Sequence, residues 1–200
     1  MNRFCIAAIL LAHCGAAVGG DLGAIVEECD GCHGVDGVSQ WTDMPTIAGT
    51  SVLVHADALY VYQEDARPCR ESEFRIGDTD RPKTDMCKVA KALTEEQIEA
   101  IAEYYADKPF VAARQDYDEA LAARGKVVHD EACEKCHTDN GTNVDDDAGL
   151  LKGQWMGYMR QTLADYNSGE RDQPKKMKDK LDPLSAEDVE ALVHFYGKPD

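Results

Sequence analysis

Basic residues are scarce in this sequence. Its 200 residues include 21 Lys and Arg against 38 Asp and Glu, which gives a formal net charge of −17. A surface this acidic repels the phosphates of nucleic acids and of anionic lipids, so we expect neither as a partner. Aromatic residues are also few, at 7%, but 44% of the residues are hydrophobic, which is enough for a packed core.

Long apolar runs are missing everywhere except near the N-terminus. The one candidate, residues 4–18, is rich in Ala and Leu and is too short and too small in its side chains for a membrane span. It follows a short basic start and ends in small residues at 18–20, which is the pattern of a cleavable secretory signal. We therefore expect a signal peptide over residues 1–20, a periplasmic location and no integral membrane segment in the mature chain. A lipid anchor at Cys14 is the alternative.

The sequence also lacks the alternation of apolar and polar residues that is typical of long β-strands. Two stretches, TEEQIEAIAEYYA and SAEDVEALVHFY, instead have the spacing of amphipathic helices. Their apolar faces consist of Ile98, Ile101, Ala102 and Tyr105 in the first and of Val189, Leu192, Val193 and Tyr196 in the second. Each stretch begins with a pair that resembles a capping box, Thr94 with Gln97 and Ser185 with Asp188. The pattern predicts an all-α fold.

One short motif occurs twice, as CDGCH at residues 29–33 and CEKCH at 133–137. When the two motifs are aligned, Gly49 falls on Gly153 without a gap. The first half then carries an extra stretch, after which Met86 falls on Met177. The chain is therefore an internal repeat.

The repeat predicts two tandem domains behind the signal peptide, at residues 21–110 and 111–200. Each domain has about ninety residues, which is small for a stable core of its own. We expect a bound group to complete each core.

Two thiols separated by two residues and followed directly by His are typical of covalent attachment of a c-type haem. The thiols add to the vinyl groups of the porphyrin, and the adjacent imidazole binds the iron. Zinc would need four ligands, and a thioredoxin-like thiol pair would follow a strand. Two covalently bound haem c groups are expected, held by the cysteines Cys29, Cys32, Cys133 and Cys136 and by the imidazoles of His33 and His137.

A second axial ligand is expected from methionine, because a His/Met pair raises the reduction potential of a haem. Met86 and Met177 match across the repeat, each on a predicted loop before the closing helix of its domain. Met44 breaks the repeat, and Met156 and Met159 lie in a predicted helix where packing is the ordinary role. We predict Met86 and Met177 as the iron ligands.

These residues resemble a known family. CDGCH with IAG, Met86 and ALTEEQIEAIAEYYA resembles a class I cytochrome c domain, and the second half resembles another. Together they are similar to the fused dihaem cytochromes c, namely the cytochrome c4 family and the haem subunit of flavocytochrome c sulfide dehydrogenase. The stretch DYDEALAARGKVVHDEACEKCH, with LKGQW and KKM after it, is especially similar to the second domain of that subunit. The resemblance implies two tandem domains, each wrapped around one haem, with axial pairs His33–Met86 and His137–Met177.

Two features depart from this family. Its members often have a proline after the motif whose carbonyl holds the His ring, and Pro45 matches it in the first domain. The second domain has Gly149 at that offset, so its ring partner is open. The extra stretch of the first domain carries Cys69 and Cys87, an even pair for which we expect a disulfide in an exported protein. A Cys thiolate bound to the iron is the rival interpretation.

The leading functional prediction is a periplasmic dihaem electron carrier that is not an enzyme. Its partners would be redox proteins such as a flavoprotein subunit or a terminal oxidase. The lysines of KKMKDK around Met177 either orient an acidic partner or are simply solvated. The alternatives are the cytochrome subunit of a sulfide dehydrogenase, whose flavin would lie in another chain, and a peroxidase or thiosulfate-oxidising haem enzyme. The latter needs an exchangeable iron ligand, against which the two aligned Met residues argue.

Overall fold

The computed structural model describes residues 22–199. The predicted signal peptide lies outside these residues. The described chain is helical, and its β pairing is limited to one bridge between Ser72 and Thr84. Its α-helices are α1 (Leu22–His33), α2 (Val52–Gln63), α3 (Met86–Lys91), α4 (Glu95–Ala106), α5 (Glu119–Ala132), α6 (Met156–Ser168), α7 (Lys175–Leu181) and α8 (Ala186–Gly197). Short 3-10 turns at Val35–Gly37, Asp139–Gly141 and Val144–Asp146 complete the set. The all-α prediction is confirmed.

The helices form two similar series, α1 to α4 and α5 to α8, and equivalent hydrogen bonds recur in both. The backbone N–H of Gly49 donates to the carbonyl of Tyr105 at 2.8 Å, and that of Gly153 donates to Tyr196 at 2.7 Å. Both glycines have positive φ, 71° and 81°, a conformation that side chains disfavour. A Cβ on Gly49 would also meet the backbone N of Phe110 at 2.8 Å. The chain therefore turns in the same way in both halves, as the internal repeat predicts.

The closing helix of each half forms its core. In α4, Ile98, Ile101, Ala102 and Tyr105 are all buried, and in α8, Leu192, Val193 and Tyr196 are buried. Thr94 with Gln97 and Ser185 with Asp188 form the predicted capping boxes. Both helices begin where the sequence signal places them, because the capping side chains satisfy backbone N–H groups that have no partner within the helix.

The two halves are joined by buried hydrogen bonds. The side chain of Gln154 accepts from the backbone N–H of Thr46 and donates to the carbonyl of the same residue, both at 2.9 Å. Nearby, the indole of Trp155 donates to the carbonyl of Ser39 at 3.0 Å. We call the Gln154–Thr46 pair the clamp. Because the clamp satisfies both backbone groups of one buried residue, it fixes the first half against the second.

An ion pair adds to this junction. The Arg70 guanidinium makes two parallel hydrogen bonds to the buried carboxylate of Asp165, at 2.7 and 2.8 Å. Paired bonds of this kind are stronger and more directional than single ones. Within the described residues, no helix has both the length and the apolar character needed to cross a membrane.

Candidate functional site

The first motif forms the last turn of α1. His33, its final residue, is buried, and its Nδ1 lies 3.0 Å from the carbonyl oxygen of Pro45. Burial lowers the pKa of His33, while the bond to Pro45 raises it. An Nδ1–H that donates to a carbonyl leaves the lone pair of Nε2 available as a metal ligand. The arrangement holds a neutral imidazole in a ligating tautomer.

The thiols of the first motif are shielded from water to different degrees. Burial raises the pKa of Cys29 to about 12, although a hydrogen bond from Tyr105 opposes the shift. Burial also raises the pKa of Cys32. A raised pKa keeps a thiol protonated, whereas redox-active thiol pairs have lowered pKa values. The pair is therefore unlike a thioredoxin site.

The second motif begins where α5 ends. Residues 133–137 form successive turns instead of a last helical turn. The Nδ1 of His137 is buried and has no hydrogen-bond partner among the described residues. Burial is the main cause that lowers the pKa of His137, so its ring is also neutral. The second imidazole is available as a ligand, but no carbonyl of the described chain orients it.

A buried histidine, His129, contacts the second motif through Glu134. His129 is completely buried in α5, with Nδ1 2.8 Å from the hydroxyl of Tyr196 and Nε2 against the carboxylate of Glu134. Tyr105 has a matching role in the first domain, where its hydroxyl donates to Asp30 at 2.8 Å. Each closing helix thus presents a tyrosine hydroxyl to the region of its own motif.

The two predicted methionine ligands lie on short helices and not on the predicted loops. Met86 is the first residue of α3, which begins there because the side chain of Asp85 accepts from the backbone N–H of Lys88 at 2.9 Å. Met177 lies in the first turn of α7, after Pro174. Both methionine side chains are half-buried. Met156 and Met159 are buried in the core of the second half, in agreement with the predicted packing role.

The extra stretch of the first domain returns to the start of α3. Cys69 and Cys87 have their Cα atoms 5.7 Å apart, a separation typical of a disulfide. Cys87 is buried directly beside Met86, so the pair closes the extra stretch next to the predicted ligand. Cys29, Cys32, Cys133 and Cys136 take part in no disulfide within the described residues.

The donor sets of both halves fit a covalently attached haem better than zinc. Each half supplies two thiols, one neutral imidazole and one thioether. In the described chain, three potential metal-binding side chains converge at two places, Asp65 with Cys69 and Cys87, and His129 with Asp130 and Glu134. Neither group contains a cysteine or histidine of the motifs. The motif thiols and imidazoles therefore do not gather around a zinc-like centre, whereas attachment to a porphyrin spreads them over a wide, flat group.

Known proteins support this assignment, although no family model matches the chain. The chain is 28% identical to cytochrome c4 of Pseudomonas aeruginosa over an alignment of 213 residues that covers 98% of each chain. It also matches the crystal structure of reduced recombinant cytochrome c4 from Pseudomonas stutzeri, with a TM-score of 0.69 and 26% identity over 89% of this chain and 98% of that one. The chain is a dihaem class I cytochrome c. It carries two covalently bound haem c groups, and its fold consists of two tandem cytochrome c domains.

This cytochrome is also similar to part of a larger assembly. It is 27% identical to the cbb3-type cytochrome c oxidase subunit CcoP of Azospirillum sp., over 92% of this chain and 63% of that protein. The likeness extends over both domains of the dihaem cytochrome.

The structure weakens the predicted basic patch around Met177. Lys175 pairs with Asp179 at 2.7 Å and Lys178 pairs with Asp182 at 2.8 Å, each one helical turn along α7. Two of the four lysines in KKMKDK are therefore neutralised locally. The positive charge offered to an acidic partner is smaller than the sequence suggests.

Sequence reasoning missed two features near the sites. The clamp involves Thr46, which directly follows Pro45, whose carbonyl accepts from His33. No local pattern identifies a glutamine from the other domain as its partner. His55 in α2 is buried, with an Nε2 that has no partner among the described residues. Its only sequence signal is that a polar residue, His55, stands where the second repeat has Met159.

Proposed function

We propose that this dihaem cytochrome is an exported, periplasmic electron carrier whose irons are ligated by His33 with Met86 and by His137 with Met177. The observation that carries the proposal is the repetition, in both domains, of a neutral imidazole and a half-buried thioether. When bound, each haem c takes up and releases one electron. His/Met ligation raises the reduction potential, which suits a carrier of single electrons.

The protein groups around each site hold its ligands in place during electron transfer. The Pro45 carbonyl accepts from Nδ1 of His33 and so fixes the ring orientation. Asp85 caps α3 and fixes the backbone that carries Met86. The clamp adjoins Pro45, so the segment that orients His33 is also held by the second domain. A fixed relation between the domains keeps the route for an electron from one site to the other constant.

We further propose that Cys69 and Cys87 are bonded and that the domains comprise residues 21–110 and 111–200, after a signal peptide at 1–20. Closing a loop over a sequence separation of 18 stabilises the folded state by about 3 kcal/mol in the entropic model. The bond would hold the start of α3, and with it Met86, against the first domain.

A second candidate function is that of an electron-transfer subunit in a larger enzyme. The similarity of both domains to an oxidase subunit favours this role, and so does the resemblance of the second domain to the haem subunit of a sulfide dehydrogenase. Electrons would then come from, or pass to, a fixed partner such as a flavoprotein or a terminal oxidase. The carrier remains the preferred proposal, because the likeness to cytochrome c4 covers 98% of both chains.

A redox titration with spectra tests the proposed ligation and role together. The purified holoprotein should take up two electrons in two one-electron steps, and both ferric haems should show the weak red absorption band of thioether ligation. Met44→Ala should leave the band intact. If the protein always purifies from its native host with a flavoprotein or oxidase chain, the subunit role replaces the free carrier. A single haem, or a high-spin haem at rest, would contradict the proposal.

A further inference from the structure

The start of α2 is exposed, unlike its counterpart in the second domain. The repeat matches Val52 and Leu53 with Met156 and Gly157 at the start of α6. Met156 is buried, and Gly157 is covered by Thr42 of the first domain, whose carbonyl oxygen would lie 2.5 Å from a Cβ on this glycine. Val52 and Leu53 are instead 42% and 51% exposed. Two adjacent apolar side chains therefore face water where the second domain has a closed contact.

Carboxylates surround this apolar start. Leu53, Asp57 and Tyr60 follow one another at spacings of four and three residues, which places them on one face of α2. The helix beside this face is α4. Burial raises the pKa of Tyr60, and the carboxylates of Glu95 and Glu99 in α4 contribute to the rise. We call the acidic face the set formed by Leu53, Asp57, Tyr60 and the exposed glutamates of α4, namely Glu95, Glu96, Glu99 and Glu103.

The negative charge of the acidic face is not balanced nearby. Neither α2 nor α4 contains a Lys or Arg. Among the described residues, no ion pair involves a carboxylate of this face. The lysines on either side of α4, Lys91 and Lys108, pair with Asp65 and Asp36 instead. The carboxylates of the acidic face are therefore available to positive charges of another molecule.

The second domain neutralises the equivalent positions. The repeat matches Ala56 of α2 with Arg160 of α6, and Glu99 of α4 with Glu190 of α8. The Nε of Arg160 lies 2.9 and 3.0 Å from the two carboxylate oxygens of Glu190. Because α2 packs on α4 as α6 packs on α8, an arginine at position 56 would reach Glu99 in the same way. The first domain has alanine there, so Glu99 is left without this partner.

The acidic face lies on the two helices that cover the first motif. On its inner side, α2 packs through Leu59 on a cluster that contains Ile101 and Tyr105 of α4, and Cys29 of the motif packs on the same cluster. The face is thus separated from the motif by about one helix diameter, roughly 10 Å. A partner bound at this face is therefore close to the first haem site.

The charge of the acidic face decides which kind of molecule fits it. A second copy of this chain, with its net charge of −17, is repelled, and so are nucleic acids and anionic lipids. A protein that presents lysines or arginines around an apolar centre is complementary in both charge and polarity, because protein interfaces combine an apolar core with a polar rim.

We propose that the acidic face docks a basic redox protein, which exchanges electrons with the first haem. The carboxylates attract and orient the partner, and Leu53 packs against its apolar centre. Each transfer is balanced, since one electron leaves the donor haem or flavin and one electron reduces the acceptor, with no bond formed or broken. The inference rests on the proposed carrier function and adds the chemical class of its partner.

The test uses the ferric holoprotein with zinc-substituted mitochondrial cytochrome c as a basic redox probe. Calorimetry measures the affinity, and the lifetime of the probe's triplet state measures electron transfer to the haems, both over a range of salt concentrations. Ala56→Arg should pair with Glu99 and weaken binding about fivefold at low salt, with a flatter salt dependence. Leu53→Ser should weaken binding about threefold at every salt concentration, because apolar contact is not screened.

Two further variants serve as checks. Glu131→Gln makes the same change of one charge on α5 of the second domain and should alter the affinity less than twofold. Glu99→Gln removes a charge from the acidic face without adding a side chain, so it should act in the same direction as Ala56→Arg even if the new arginine disturbs folding. Circular dichroism shows whether each variant retains its helices.

The inference is overturned if the probe does not bind at low salt, or if Ala56→Arg and Glu99→Gln leave its affinity unchanged. Equal weakening by Glu131→Gln would also overturn it, because net charge alone would then attract the probe. These outcomes leave the carrier function standing when the same samples still take up two electrons in two steps. If those steps are missing from the unmodified protein, the proposed function fails first.

Discussion

The two domains share a motif but hold its histidine differently. His33 ends a helix and is fixed by the Pro45 carbonyl, whereas His137 lies in turns beyond α5, with its Nδ1 unpaired in the described chain. The hydrogen bond to the second ring nitrogen sets the orientation and the basicity of an imidazole ligand. The repeated motif therefore supplies the same residues in both domains, but not the same hydrogen bond to the imidazole. We expect the two haems to have unequal reduction potentials.

The segments that carry the two methionines also differ, in how firmly each is held to its domain. Met86 is next to Cys87, at the closed end of the extra stretch, while Met177 lies on an exposed helix whose lysines pair with neighbouring aspartates. With the proposed bond between Cys69 and Cys87, the first domain has a covalent restraint near its proposed ligand. The second has surface ion pairs there, which contribute little to stability. The first domain should therefore tolerate damage to its core better than the second.

Loss of one haem is the most severe way to test this difference. Replacing both motif cysteines by Ala should remove one haem, and the affected domain should lose most of its folding free energy, on the order of several kcal/mol. Cys133→Ala with Cys136→Ala should unfold the second domain more completely than Cys29→Ala with Cys32→Ala unfolds the first, because the latter retains its disulfide. Intact mass and far-ultraviolet circular dichroism measure the two effects. Equal loss of helix in both variants would remove the proposed advantage of the first domain.

Reduction of the disulfide should remove the stability advantage that we expect for the first domain. The first domain should lose about 3 kcal/mol of stability, because the constraint on its unfolded loop disappears. Met86 should detach more readily on heating, and the potential of the first haem should fall while that of the second stays constant. The measurement is a titration of each haem before and after reduction, with Cys69→Ala/Cys87→Ala as the matched variant. A free thiol at Cys87 in the native protein would rule out the bond and revive thiolate ligation.

The clamp offers a way to perturb the first domain from the second. Gln154→Leu should cost about 2 kcal/mol, because both backbone groups of Thr46 lose their buried partner. The potential of the first haem should change more than that of the second, since Thr46 follows Pro45. Gln173→Leu is the control, because the side chain of Gln173 donates to the carbonyl of Tyr166 in its own domain. A change confined to the second haem would show that the clamp does not reach the His33 site.

The smallest expected difference concerns pH. Burial raises the pKa of Tyr158. The positive charges of Arg67, in the first domain, and of Arg171 lower it by more, so that the net pKa is about 8. Because this value is below the ordinary value of about 10, ionised Tyr158 stabilises the folded state more as pH rises from about 8 to 10, and the gain is lost as pH falls through 8. The first repeat has Val54 at this position and offers no such group. The chemical shift of the Tyr158 ring should titrate near pH 8, and Arg67→Met should raise that midpoint whereas Arg124→Met should not.

Local patterns were enough to predict much of this fold. The closing helices follow from a period of 3.6 residues and from their capping pairs, and the tandem order of helices follows from the repeated motif. The partner of His33 was also predictable, since Pro45 stands at the family offset. These features are encoded over short distances, where spacing alone determines which groups can meet.

Other features depend on contacts between distant segments. The helical start at Met86 is set by the side chain of Asp85, whereas the repeat alignment predicted a loop there. The clamp joins Thr46 to Gln154, which no spacing rule connects. The burial of His55 depends on how α2 packs against other elements, so the sequence alone does not show it.

The clamp also bears on how a duplicated chain diverges. At the position that Gln154 occupies in the second repeat, the first repeat has Thr50, whose shorter side chain cannot offer an amide to both backbone groups of one residue. Two copies of the first half could not associate through this contact, nor could the halves exchange their order and keep it. The two halves of the repeat are therefore no longer equivalent at this contact. The second half supplies the amide of Gln154, and the first half supplies the backbone groups of Thr46. A gene encoding only one half would therefore be expected to yield a less well-ordered haem domain than the same half within the intact chain.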